Sequence, residues 1–318
     1  MPLFQNLFKK KSTNKGIVAL SFTSEGIALA ISQHIDNQRP KLIHCEFIHT
    51  NKKQATLKEL TETHQLKNYD CYLILTSDDY RLITIEPPAV TENEIAKAIR
   101  WKISDLIEFH IDDAVIDHYP LPESPRANSE KKIEVIATPK STIQPLVDLC
   151  TICGLQLKVI DIQETSIRNL ATLAPENNTG IAVLHLQKNT GQIIIEQQGL
   201  IYLSRKLAIG FDRLGLSDSF LSDGQIALEQ SSLALDIQRS FDYAESYYNL
   251  PPISELAVIP IIKNTQGILD FLTNNHGITS RIMDLSTIID GDLLLNDSTQ
   301  SLCAAVIGAT LRNVIEPS

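Results

Sequence analysis

The feature that constrains this chain most is one arrangement of short apolar runs that occurs twice. Near the start, Gly16-Ile-Val-Ala-Leu-Ser-Phe22 and Ile27-Ala-Leu-Ala-Ile-Ser32 flank the polar turn Thr23-Ser-Glu-Gly26, and Lys41–His49 follows as a further strand candidate. Two β-rich runs joined by a short turn that ends in glycine predict a hairpin. In the second half, runs at 180–186, 192–197 and 200–209 repeat the plan, separated by turns at Gln187–Gly191 and Gln198-Gly199. Such weak internal symmetry predicts a duplicated α/β core.

Ala55–His64 reads as a helix and Cys71–Leu75 as a short buried strand. After the second copy come a long helix from about Asp223 to Tyr248, a strand at Glu255–Pro260 and a helix at Thr265–Asn275. A strand at Thr279–Asp284 and a helix at Ser301–Asn313 complete the chain. Between the copies the texture changes at Arg81. The strand Leu82–Glu86 meets Pro87-Pro88, which can neither continue a ladder nor enter a helix interior. Thr91 then serves as an N-cap with Glu94 completing a capping box, and Ile95, Ala98, Ile99, Ile103, Leu106 and Ile107 follow at mostly helical spacing. Strands at Ala114–Tyr119 and Lys132–Thr138 flank the polar stretch 120–131. A helix at Ile143–Cys153, closed by Gly154, leads to a strand at Leu155–Asp161. The expected organisation is therefore two α/β lobes. Residues 16–80 and 160–178, with part of the terminal helix 301–318, form the first, and 179–300 form the second. Residues 81–159 are an inserted α/β subdomain, and 1–15 a separate basic and apolar segment.

Composition narrows the function classes. The 318 residues suffice for about two domains, and 43% hydrophobic content supplies a core. A net charge of −10 argues against a nucleic-acid partner, which requires a basic face. No apolar run reaches the roughly 18 residues of a membrane span, and Met1–Lys11 does not read as a secretory leader, so a cytoplasmic protein is expected. The five cysteines are scattered, without a disulfide framework. Cys150 and Cys153 form a C-x-x-C late in a helix, with no second pair to complete a zinc site, and are expected to be buried packing. No Walker loop, dinucleotide fingerprint or nucleophile elbow is present. The acid pairs Asp78-Asp79 and Asp112-Asp113 fall in loop-like surroundings, so no catalytic constellation and no metal site is expected.

Four segments carry a more specific signal: Glu94-Ile-Ala-Lys-Ala-Ile-Arg-Trp-Lys-Ile-Ser-Asp-Leu-Ile-Glu-Phe109, Val159–Leu170, Leu235–Tyr243 and Ala304–Arg312. In order and spacing they resemble the PilM/MshI family of type IV (MSHA-type) pilus biogenesis proteins, relatives of FtsA within the actin-like ATPase superfamily. The resemblance implies a two-lobed actin-like ATPase fold of duplicated mixed-sheet domains, with a small inserted α/β subdomain of FtsA/PilM type. Actin-like ATPases hold Mg-nucleotide between two hairpins of the type Asp-apolar-Gly. The Asp organises the metal and the Gly lets backbone N–H groups approach the phosphates. Here Ser21 and Thr23 occupy those places in the first hairpin, His185 and Gln187 in the second, and Pro260-Ile261 stands for the adenosine-side Gly-Gly. Both carboxylates and the key glycines are missing together, and with them the means to position a metal-bound water. The expectation is a pseudo-ATPase with neither ATP nor Mg²⁺ as cofactor. His185 has two readings, a phosphate or metal contact near Thr23 and a strand-end histidine satisfied by hydrogen bonds.

Interaction chemistry remains. The resemblance implies that the insertion and adjoining first lobe grip the cytoplasmic tail of a PilN-like (MshJ-type) inner-membrane protein, as a short peptide in an apolar groove. Arg100, Trp101, Leu106 and Phe109 are the candidate contacts, because Trp and Arg are enriched in interface hot spots. A core anchor is the alternative for the single Trp. Phe4, Leu7 and Phe8 with Lys9, Lys10 and Lys11 suit either an interfacial foot on anionic lipid or a solvated terminus. The expected role is a cytoplasmic scaffold recruited to the inner-membrane face, with other pilus components as further partners. Two alternatives stand beside it. One is an active ATPase using Ser21, Thr23 or Asn189–Gly191, and the other a filament-forming protein that associates with itself through its lobes.

Overall fold

The first apolar run becomes β1 (Gly16–Phe22), paired antiparallel with β2 (Gly26–Gln33), which pairs antiparallel with β3 (Lys41–His49). Helix α1 (Lys53–Thr63) returns the chain to β4 (Asp70–Ile74), parallel to β1. This is a computed structural model, and it describes residues 16–33, 40–126, 130–215, 222–262, 264–291 and 293–312. β1 is buried throughout and β2 is buried up to Gln33, which explains their near-continuous apolar sequence: both faces of this sheet are covered. Val18, Leu20, Leu29 and Ile31 pack with Leu57 and Leu60 of α1 on one side. Gly26 is required where the hairpin meets β3, since a Cβ there would lie 2.0 Å from the Ile48 carbonyl oxygen.

The insertion follows as β5 (Arg81–Ile85), α2 (Glu92–Ile103), β6 (Ala114–Pro120) and β7 (Ile133–Pro139). Its antiparallel sheet has the order β5–β7–β6, and α2 covers it through Ile99 and Ile103 against Ile85, Val135 and Ala137. The Thr91–Glu94 capping box is present. Helix α3 (Lys140–Ile152), β8 (Gln156–Asp161) and α4 (Gln163–Ala171) come next. β8 pairs parallel with β4 and completes a first sheet of order β3–β2–β1–β4–β8. The boundary drawn at residue 159 thus falls inside a strand of the first lobe. α3 goes with it, because Cys150 and Cys153 share a core with Val18 and Leu73. The strand–helix–strand rhythm is continuous through this region, and pairing with a strand beyond the insertion leaves no local mark.

The second lobe is built from β9 (Ile181–Leu186), β10 (Gly191–Gln197), β11 (Leu200–Leu207), α5 (Asp223–Tyr248) and β12 (Leu256–Val258). Then come α6 (Thr265–Asp270), β13 (Ser280–Ile282), α7 (Leu285–Ile288) and α8 (Asp297–Ala309). Its sheet order is β11–β10–β9–β12–β13, with the antiparallel and parallel pairings of the first sheet in the same sequence. The duplication read from the two sets of apolar runs is therefore real at the level of topology. α8 starts before the expected Ser301, because Asn296 caps it by accepting from the Thr299 N–H at 2.8 Å. α4 and α8 lie in a core shared by both sheets, which contains Ile17, Ala28, Ile167, Val183, Ala257 and Val306. The two helices touch at Gly308, whose carbonyl accepts from the Asn169 side-chain amide at 3.0 Å.

Candidate functional site

The hairpin turns of the two lobes meet, and Lys188 Nζ donates to Glu25 Oε1 across them at 3.2 Å. The side chains at the nucleotide-hairpin positions are engaged locally. Ser21, nearly buried, donates its hydroxyl to the Ile74 carbonyl at 2.9 Å and ties β1 to β4. Thr23 Oγ1 accepts from the backbone N–H groups of Glu25 and Gly26 at 3.2 and 3.1 Å, closing the turn. His185 is buried, and its Nε2–H donates to the Ser301 carbonyl of α8 at 3.0 Å. Burial pushes its pKa below the usual histidine range, favouring a neutral ring. Gln187 Oε1 accepts from the Thr190 hydroxyl at 3.4 Å, and Pro260 is buried just beyond β12.

Behind the turns lies an acid that the sequence reading passed over. Glu164, buried in the first turn of α4, accepts from Gln192 Nε2 at 2.6 Å and from the Tyr80 hydroxyl at 2.5 Å. This network joins β10 of the second lobe to α4 and the loop before β5. Burial raises the Glu164 pKa above the ordinary carboxyl range, and the two donors oppose that shift.

A concavity lies elsewhere in the molecule. A cavity of about 490 Å³ lies between β6 of the insertion and β8 of the first lobe, and the β10–β11 turn closes one end. Among the described residues β6 and β8 each stand at the end of their sheet, and both strands contribute to the lining of this space. Val115, Ile160 and Leu200 make part of the lining apolar. Charge enters from Asp161, whose Oδ2 is 2.6 Å from Arg312 Nη1 and whose Oδ1 accepts from the Ile162 N–H at 2.9 Å. Arg168 Nη1 donates to the Gly199 carbonyl at 2.9 Å and draws the β10–β11 turn of the second lobe to the rim. On β6, burial raises the Asp117 pKa and lowers that of His118. Asp161, Arg168 and Arg312 lie within the segments Val159–Leu170 and Ala304–Arg312 singled out in the sequence. Nothing local indicated that they converge.

The four expected partner contacts do not line this cavity. Arg100 is spent on the chain after α2, donating to the Ile111 and Ala114 carbonyls at 2.7 and 2.8 Å. Phe109 packs against the insertion core. Trp101 and Leu106 are 86% and 57% exposed, so the single Trp is not a core anchor. Phe4, Leu7, Phe8, Lys9, Lys10 and Lys11 lie outside the described residues. Among the described residues no helix is long and apolar enough to cross a membrane.

Two sheets of one order, each a hairpin edge followed by parallel strands, packed around α4 and α8, define the class: this is an actin-like fold. Solved structures agree. One, described as a PilM–PilN type IV pilus biogenesis complex, matches with a TM-score of 0.71 and 17% identity, over 95% of this chain and 99% of that one. Another, a Bacteroides thetaiotaomicron protein with an actin-like ATPase fold and unknown function, matches with a TM-score of 0.52 and 12% identity, over 91% and 95% of the two chains. No protein-family model and no curated protein matches the sequence.

Proposed function

We propose that this protein is an assembly scaffold of a type IV pilus machine, holding the cytoplasmic tail of a PilN-like inner-membrane protein in the cleft between β6 and β8. The observation that carries this reading is the cavity itself. It is lined in part by two strands that each end their sheet among the described residues, is partly apolar, and is furnished with fixed charge at Asp161 and Arg312. An extended peptide suits such a space, because main-chain hydrogen bonds to an open edge supply affinity while side-chain pockets supply specificity. The partner class comes from the similarity in fold to a PilM–PilN complex. The narrower MSHA-type reading, with an MshJ-type partner, rests on the sequence segments quoted above. Recruitment to the inner-membrane face follows from the partner.

The reading extends to nucleotide. Ser21, Thr23, His185 and Gln187 offer no carboxylate to organise a metal, their side chains hold local structure, and a Glu25–Lys188 pair spans the turns. Phosphoryl transfer depends on positioned metal and charge, so the proposed role does not include turnover. Calorimetric titration tests both parts. A tail peptide should bind the wild type, and Leu200→Asp should weaken it with the fold unchanged, since Leu200 lines the cavity yet is 50% exposed. ATP with Mg²⁺ should give no heat. Tight ATP binding, or peptide affinity indifferent to Leu200→Asp, would count against the proposal.

A further inference from the structure

At the opposite edge of the first sheet from β8, a second group of side chains converges. His44 and Glu46 stand two apart on β3, so their side chains leave the same face of the strand. α1 ends at Thr63, and the His64 backbone N–H still bonds the Leu60 carbonyl at 3.0 Å, which brings a second imidazole over that face. Gln65 then takes φ +53° and turns the chain away. The two rings lie 4.3 Å apart between centroids, tilted by 32°. Their Nε2 atoms approach one carboxylate oxygen, Glu46 Oε1, at 2.8 Å from His44 and 3.7 Å from His64.

The three ligand atoms all lie within 4.8 Å of one another. Tetrahedral zinc, with bonds of roughly 2.0–2.1 Å, holds neighbouring ligand atoms about 3.4 Å apart. Small side-chain rotations close that difference. Two imidazoles with one carboxylate select zinc-like transition metals over magnesium or calcium, which take oxygen ligands. The side chains are partly exposed, so an ion has access, and three protein ligands leave a position for water. A hydrogen bond from His44 to Glu46 accounts for that pair alone. It does not account for a second imidazole whose Nε2 approaches the same oxygen.

We propose that His44, Glu46 and His64 form a three-ligand site for a divalent transition-metal ion of the zinc class, fastening the outer strand β3 to the end of α1. The full untagged chain would be titrated with Zn²⁺ in competition with a chromophoric chelator. One equivalent should bind, and His44→Ala and His64→Gln should each weaken it by about tenfold or more, the loss that even outer partners of a metal ligand cause. Glu46→Gln, which keeps a hydrogen-bonding side chain, should weaken it similarly with the metal-free unfolding temperature unchanged. Zn²⁺ should raise the unfolding temperature of the wild type and of none of the variants. Absence of stoichiometric binding overturns the proposal. So does binding that persists undiminished in folded variants, which would assign the ion to other groups such as the cysteines.

Discussion

Replacing Gly308 by alanine adds one methyl group at the point where α4 and α8 cross. That carbon would stand 2.0 Å from the Ser166 carbonyl oxygen and 3.2 Å from Leu170 Cγ. The first neighbour is backbone, so the helices must part by about 1.4 Å to restore ordinary contact. Overpacking of this kind costs about 1–3 kcal/mol. Parting also stretches the 3.0 Å bond from Asn169 Nδ2 to the Gly308 carbonyl, and Asn169 is fully buried. A buried amide left without its partner costs about 1–3 kcal/mol. Alanine's better helix propensity returns only about 1 kcal/mol. The net expectation is a loss of roughly 2–3 kcal/mol, seen as a fall of several degrees in the unfolding temperature. Gly224→Ala is the control: it lies in α5 with nothing within 4 Å of the added carbon, and should be neutral or stabilising. Thermal and urea unfolding of the two variants decide the matter. If Gly308→Ala is as stable as Gly224→Ala, the close crossing of the helices is wrong.

Other perturbations separate structural from functional roles. Arg312→Ala leaves Asp161, 7% exposed, without its guanidinium, and should cost about 3 kcal/mol by urea unfolding; adding Asp161→Asn should restore part of the loss. Burial raises the carboxyls of both Glu134 and Glu196 to about 7, from 4.5, so the folded chain binds protons that the unfolded chain has released. Their stabilising contribution is complete below the lower value and is lost as the pH rises through about 7. Glu134→Gln and Glu196→Gln should therefore flatten the stability profile across that window and be more stable than the wild type near pH 8, each by up to about 3 kcal/mol. Arg100→Ala should lower stability by about 2 kcal/mol, having lost two bonds to backbone carbonyls. Trp101→Ala should change stability by less than about 0.5 kcal/mol, because its side chain is largely solvated.

The elements that declared themselves in the sequence are those whose cause is local. The hairpin turn at Thr23–Gly26, the Thr91–Glu94 box and the periodic α5 each carry their own chemistry within a few residues. The order and spacing of a few segments brought the actin-like fold into view. What escaped was anything set by distant pairing. β8 looked like part of the insertion until its partner β4 was known. Arg100 and Trp101 are adjacent and both suit an interface, but the turn of α2 sends one to the Ile111 and Ala114 carbonyls and the other into solvent. Asp161 and Arg312 meet across 151 positions of sequence, and Glu164 joins Tyr80 to Gln192 only because the lobes close on it. The histidines of β3 and α1 gave no motif, since one comes from a strand and the other from the end of a helix.

Amide hydrogen exchange of the full chain with and without the tail peptide tests the cleft most directly. The account predicts slower exchange at the outward amides of 114–119 and 156–161, in the two strands that border the cavity. The helix face around Trp101 and the turns at 23–26 and 187–190 should exchange as before. Protection confined to the Trp101 face or to the hairpin turns, with β6 and β8 unaltered while peptide is bound, would contradict it.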